Sequence, residues 1–95
     1  MEKTVIVKLF PGMSEVLGGN MLSVTTRAGT VDELLNCLAA RYGKEFTAWV
    51  FDEDGEFRDG LLITVNSTAI GNLDGLATVL QDGDVLSIIL PVAGG

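Results

Sequence analysis

The residues best placed to do chemistry stand at the end of the chain, in Pro91-Val92-Ala93-Gly94-Gly95. No residue after Asp84 is charged, and Pro91 lifts the chain off any sheet that precedes it because it cannot donate to a ladder. Five extended residues reach about 16 Å. Small side chains and two glycines let such a segment thread a narrow channel in another protein and carry the Gly95 carboxylate deep inside. A free carboxylate is a poor acyl donor until it gains a leaving group. ATP supplies one by adenylation, yet the chain has no Gly-rich phosphate loop with its lysine, so the nucleotide would belong to a partner. Taken on its residues alone, the tail reads equally well as a loose end with no task.

Other chemistry is scarce. The sequence has no histidine, which removes the usual general base and any Ser/His/Asp set. Its single cysteine, Cys37, cannot close an internal disulfide or hold a zinc or an iron–sulfur cluster. Lying between Leu35 and Leu38, it is expected to be a buried structural thiol rather than a nucleophile. Asp52, Asp54, Gly55, Glu56 and Asp59 do not meet the order of a calcium loop and read as a solvated acidic turn. No metal site and no resident cofactor are expected.

The formal charge of −7 and a pI near 4.2 repel phosphate backbones and anionic lipids, which points away from nucleic acid and membrane toward a basic protein partner. No apolar run has the length of a membrane span. Met1-Glu2-Lys3-Thr4 leads straight into a strand-like run without signal-peptide character, so the expected location is the cytoplasm.

The elements that position the tail fit one domain, residues 1–95, with a flexible tail at 91–95. Val5–Phe10 and Met21–Thr26 read as strands, with 11–20 as the loop of their hairpin. Thr30-Val31-Asp32-Glu33 is a capping box, and Val31, Leu34, Leu35, Leu38, Ala39 and Tyr42 follow at helical spacing until Gly43, which predicts a helix over 31–42. A short strand near 48–51 and a hairpin tip at Asp54-Gly55 are expected next. Leu61–Asn66 is a clear strand, 67–81 an irregular surface stretch with short helical turns, 81–84 a tight turn, and Val85–Leu90 the last strand. This order makes an α+β roll, a mixed sheet covered on one face by the helix. Alternation puts Val5, Val7, Leu9, Leu22, Val24, Ile63, Val65, Leu86, Ile88 and Leu90 toward the helix. Ile6, Lys8, Phe10, Ser23, Leu62, Thr64, Ser87 and Ile89 fall on the open face. The first and last strands lie side by side in such a roll, so Phe10 and Ile89 can meet in an apolar cluster beside the tail root.

These motifs carry a resemblance. Leu80-Gln81-Asp82-Gly83-Asp84-Val85, an apolar last strand and Pro91-Val92-Ala93-Gly94-Gly95 resemble the C-terminus of the MoaD/ThiS family of sulfur carriers. Ile63-Thr64-Val65-Asn66 is similar as well, as is Leu9-Phe10 followed by Glu15 and Leu17-Gly18. The resemblance implies a β-grasp, ubiquitin-like fold. It also implies that Gly95, behind Gly94, is adenylated by an E1-like enzyme with ATP and converted to a thiocarboxylate. The tail is most similar to that of the small subunit of molybdopterin synthase, whose large subunit would then be the acceptor partner. Phe10 and Ile89, with Ile6, Leu62, Pro91, Val92 and Ala93, are the partner-binding residues it implies. Residues 44–60 make the chain longer than the usual small subunit, and the thiamine-pathway carriers lack much of that segment. A protein modifier joined to lysines through Gly95 is the alternative, and a plain interaction module a third reading.

Overall fold

Alternating apolar residues build a five-stranded mixed sheet in the computed structural model, which describes residues 2–58 and 60–90. Its strands are β1 (Lys3–Lys8), β2 (Met21–Thr26), β3 (Leu62–Val65), β4 (Thr68–Ala69) and β5 (Val85–Ile89), in the order β2-β1-β5-β3-β4. β1 pairs antiparallel with β2 and parallel with β5, and β5 pairs antiparallel with β3. Three helices accompany the sheet: α1 (Pro11–Leu17), α2 (Val31–Tyr42) and α3 (Lys44–Val50).

Helix α2 forms where its spacing requires. The Glu33 N–H donates to Thr30 Oγ1 at 3.2 Å, and the Glu33 carboxylate accepts from the Gly29 N–H at 2.9 Å, so two free donors at the helix start are satisfied. Its Val31, Leu34, Leu35 and Leu38 are buried with Val5, Val7, Val24, Ile63, Leu86 and Ile88 in one core. Each fully buried Leu or Ile contributes on the order of 1.5–3 kcal/mol.

Two sequence expectations are corrected. The segment 11–20 is not a plain loop, because Pro11–Leu17 is helical. Proline ends a strand, but it also suits the first turn of a helix, where its missing N–H is not needed. Gly18, at φ 88°, then closes the helix in the left-handed region and donates to the Ser14 carbonyl, and Met13 is fully buried. The strand expected near 48–51 is the end of α3. Phe46 and Val50 lie four apart, the spacing of one helix face, and both are completely buried. The strand-forming character of Trp49-Val50-Phe51 loses to that packing. The tip at Asp54-Gly55 does form, closed by a single bridge between Phe51 and Phe57. Residues 67–81 hold the expected short turns, Ile70–Asn72 and Gly75–Ala77, together with β4.

The face assignments hold with three exceptions. Phe10, expected on the open face, lies past the end of β1 and packs against the core and Trp49 of α3, because the chain has already turned into α1. Leu90, expected under the helix, is exposed: the ladder ends at the Leu62–Ile89 pair, and nothing beyond it holds the alternation. Thr64, expected on the open face, is buried. It sits between Ser87 and Ala69 in the row across β5, β3 and β4, and a short side chain there is shadowed by its neighbours.

Candidate functional site at the open sheet face

The turn before β5 fixes where the tail begins. Thr4 N–H donates to Asp82 Oδ1 at 2.7 Å, and Gly83 N–H donates to the Thr4 carbonyl at 2.8 Å. Asp84 accepts from Asn66 Nδ2 at 2.9 Å through one carboxylate oxygen and from the Gln81 N–H at 2.8 Å through the other. Asn66 Oδ1 in turn accepts from the Val85 N–H at 3.0 Å. These bonds bolt 81–85 to β1 and to the end of β3, so the register of β5 cannot slip. Leu90 is the last described residue before the tail. Pro91, Val92, Ala93, Gly94 and Gly95 lie outside the described residues.

Above this lock the register lays out the open face. Ser23, Ile6 and Val85 form one row and Met21, Lys8, Ser87 and Thr64 the next, with Ile89 and Leu62 paired beyond them. Leu62 and Ile89 are each 39% exposed, Met21 is 56% exposed, and Ile6 is half-buried. The parallel pairing of β1 with β5 stops at Lys8–Ser87. Past it the strands leave a hollow of about 340 Å³ lined by Lys8, Leu9, Phe10, Ser87, Ile88 and Ile89. Phe10 and Ile89 thus share one mostly apolar depression next to the tail root.

Phe10 is held there by a residue that sequence reasoning passed over. Its ring meets Trp49 of α3 edge to face, with centroids 5.1 Å apart. Gly12 makes room for the pair: a Cβ on it would stand 3.0 Å from the Trp49 ring and 3.2 Å from the Phe10 ring. The signal for Trp49 was its helical spacing from Phe46, hidden by the strand-like composition of 48–51.

The remaining candidates lie elsewhere. Cys37 is exposed, which corrects the expectation of a buried thiol. It lies at the flank of the Leu34, Leu35 and Leu38 stripe, where Thr26 Oγ1 donates to its Sγ at 3.8 Å. The acidic turn supports its own backbone: Asp52 Oδ1 accepts from the N–H groups of Asp54 and Glu56. A larger hollow of about 620 Å³ beside it mixes Asp52 and Glu53 with Arg58, whose Nη2 donates to the Ala48 carbonyl at 2.8 Å. Among the described residues no cluster of three metal-ligating side chains occurs.

Known proteins share this sequence and fold. A small archaeal modifier protein of Haloferax volcanii, small archaeal modifier protein 3, is 41% identical over 66 residues, covering 70% of each chain. A protein of Archaeoglobus fulgidus assigned as a sulfur carrier is 32% identical over 74 residues, covering 78% of this chain and 83% of the other. The crystal structure of SAMP1 from Haloferax volcanii superposes with a TM-score of 0.81 at 29% identity, over 97% of this chain and 99% of that one. That likeness makes the roll a β-grasp, ubiquitin-like fold. Residues 7–95 match the ThiS family, and the chain belongs to that family of small ubiquitin-like sulfur carriers and modifiers.

Proposed function

We propose that this protein carries sulfur on Gly95 as a thiocarboxylate and delivers it in molybdenum or tungsten cofactor synthesis. The observation that carries the reading is the apolar depression of Phe10 and Ile89 at the root of a Gly-Gly tail, on a face without a catalytic group. An E1-like partner binds that face and receives the tail. The Gly95 carboxylate attacks the α-phosphorus of ATP, giving an acyl-adenylate and releasing pyrophosphate. A sulfur donor of the persulfide class, with a reductant to free the sulfur, then displaces AMP, and the terminal C–O⁻ becomes C–S⁻. The acceptor enzyme, the large subunit of molybdopterin synthase in this reading, takes up the same tail. The likeness of Pro91–Gly95 to the small subunit of that enzyme supports the choice of acceptor.

A second reading is favoured by the modifier relative at 41% identity. There a lysine ε-amine of another protein attacks the same adenylate, and an isopeptide bond forms as AMP leaves. The two readings share the tail and the first step and differ only in the nucleophile. Incubation with the E1-like enzyme of the same genome, ATP and a sulfur donor, followed by intact-mass measurement, separates them. Replacement of one oxygen by sulfur marks the carrier, and conjugates with other proteins mark the modifier. If neither product forms, both readings are wrong.

A further inference from the structure

No Asp or Glu falls in any of the five strands, although the chain holds 13 acidic residues against 6 basic ones. Two lysines do, both on β1. Lys3 points its ammonium to the Leu80 carbonyl at 3.0 Å. Lys8 is exposed on the open face. Its register neighbours are Met21 on β2 and Ser87 on β5, Ile6 lies two residues back on its own strand, and it lines the hollow shared by Phe10 and Ile89. Among the described residues of the strands, a single cation thus sits in the middle of an otherwise uncharged, largely apolar face on a strongly acidic protein.

We propose that Lys8 decides what docks here: the face fits a partner protein that presents a carboxylate inside an apolar patch, and it turns away a second copy of this chain. The proposal rests on the reading that the open face receives the activating enzyme. Any surface that covers Ile6, Leu62 and Ile89 also strips water from Lys8. An ammonium desolvated without a counter-charge loses more than the apolar contact returns. Opposed by a carboxylate, it fixes register and selects the partner. The strands of a second copy, meeting through the same face, bring no such group. Two copies meeting through this face do so about a two-fold axis, with the same patch on each. Lys8 is central to the patch, so its two copies approach each other, and no strand of either copy offers an acid to part them. The exposed Met21, Leu62 and Ile89 therefore remain available to a different protein without pairing the free chains. The requirement runs against the overall charge. At long range a net charge of −7 attracts a basic surface, yet the contact itself asks for an acid within that basic surround.

The test has two arms. In sedimentation velocity of the intact protein, wild type stays monomeric at concentrations where Lys8→Met dimerises, and Lys8→Met with Ile89→Asp is monomeric again. In ATP–pyrophosphate exchange, with the E1-like enzyme of the same genome as probe, Lys8→Glu loses about tenfold or more in kcat/KM, carried by KM, while Lys8→Arg stays within about twofold of wild type. Lys8→Met that sediments like wild type, or Lys8→Glu that is exchanged as well as wild type, overturns the proposal. Wild-type protein that supports no exchange at all counts against the functional reading instead, and sedimentation then decides the role of Lys8 alone.

Discussion

At the scale of single residues, Cys37 and Asn66 show how a side chain's worth depends on where its bonds go. Cys37 lies on the exposed side of α2, so Cys37→Ser is expected to change stability by less than about 0.5 kcal/mol in urea unfolding and to leave thiocarboxylate formation intact. A folded Cys37→Ser protein that cannot be loaded with sulfur would move the chemistry from Gly95 to the thiol. Asn66 has a backbone φ of 52°, a region that costs most residues about 1 kcal/mol. Its side chain also links Asp84 and Val85. Asn66→Ala is expected to cost about 2 kcal/mol, from the lost bonds and the strained backbone together, and Asn66→Gly about 1 kcal/mol, since glycine keeps the angle and loses only the bonds. Equal losses in the two variants would remove backbone strain from the account.

At the scale of elements, α1 and α3 do the work that a hairpin loop and a strand were expected to do. They pack on each other at the end of the core and clamp Phe10 between Gly12 and Trp49. Trp49→Ala is expected to cost about 2 kcal/mol, below the range for a fully buried aromatic, because Trp49 is half-buried and the loss is the ring pair plus partial burial. Chemical denaturation followed by circular dichroism measures this, and an unchanged midpoint would mean that Phe10 is held by other contacts. Both helices were hard to read for the same reason. Each has seven residues, too few for periodicity to stand out, and each begins or runs through residues that also suit strands and turns. Helix α2 was legible to its ends because its 12 residues carry a cap, a full apolar stripe and a glycine stop.

At the scale of the whole molecule, fold and tail are expected to be separable. The described core is built from residues between Val5 and Ile88, so deletion of Gly95 is expected to leave the melting temperature unchanged while abolishing adenylation. A truncated chain that melts much earlier, or that still accepts sulfur, would break the separation. Gly94→Ala is expected to slow activation, since a Cβ crowds a narrow channel and restricts the backbone. Ile89→Asp addresses the face. It is 39% exposed at the end of β5, so monomer stability is expected to change little, whereas binding to the partner falls by a few kcal/mol if the residue is a hot spot. Unchanged affinity by titration calorimetry for both Ile89→Asp and Phe10→Asp would clear the open face of a docking role.

The sequence by itself determined the buried stripe of α2, most of the inward-facing strand residues, and what chemistry is excluded. Alternation of period two names the two faces of a strand wherever a ladder holds it, and a capped apolar stripe names a helix. The lack of histidine and the single cysteine rule out whole classes of site before any folding. Only the tertiary structure decided the rest, because those features depend on residues far apart in the chain. The exposure of Leu90 follows from where β3 begins, and the burial of Thr64 from its neighbours on two other strands. The hollow beside the tail exists because β1 and β5 part after Lys8–Ser87, and Phe10 lines it while held by a tryptophan 39 residues away. The isolation of Lys8 among uncharged neighbours likewise appears only once Met21 and Ser87 are laid beside it, since pairing across strands is set by the whole sheet and not by any one of its segments.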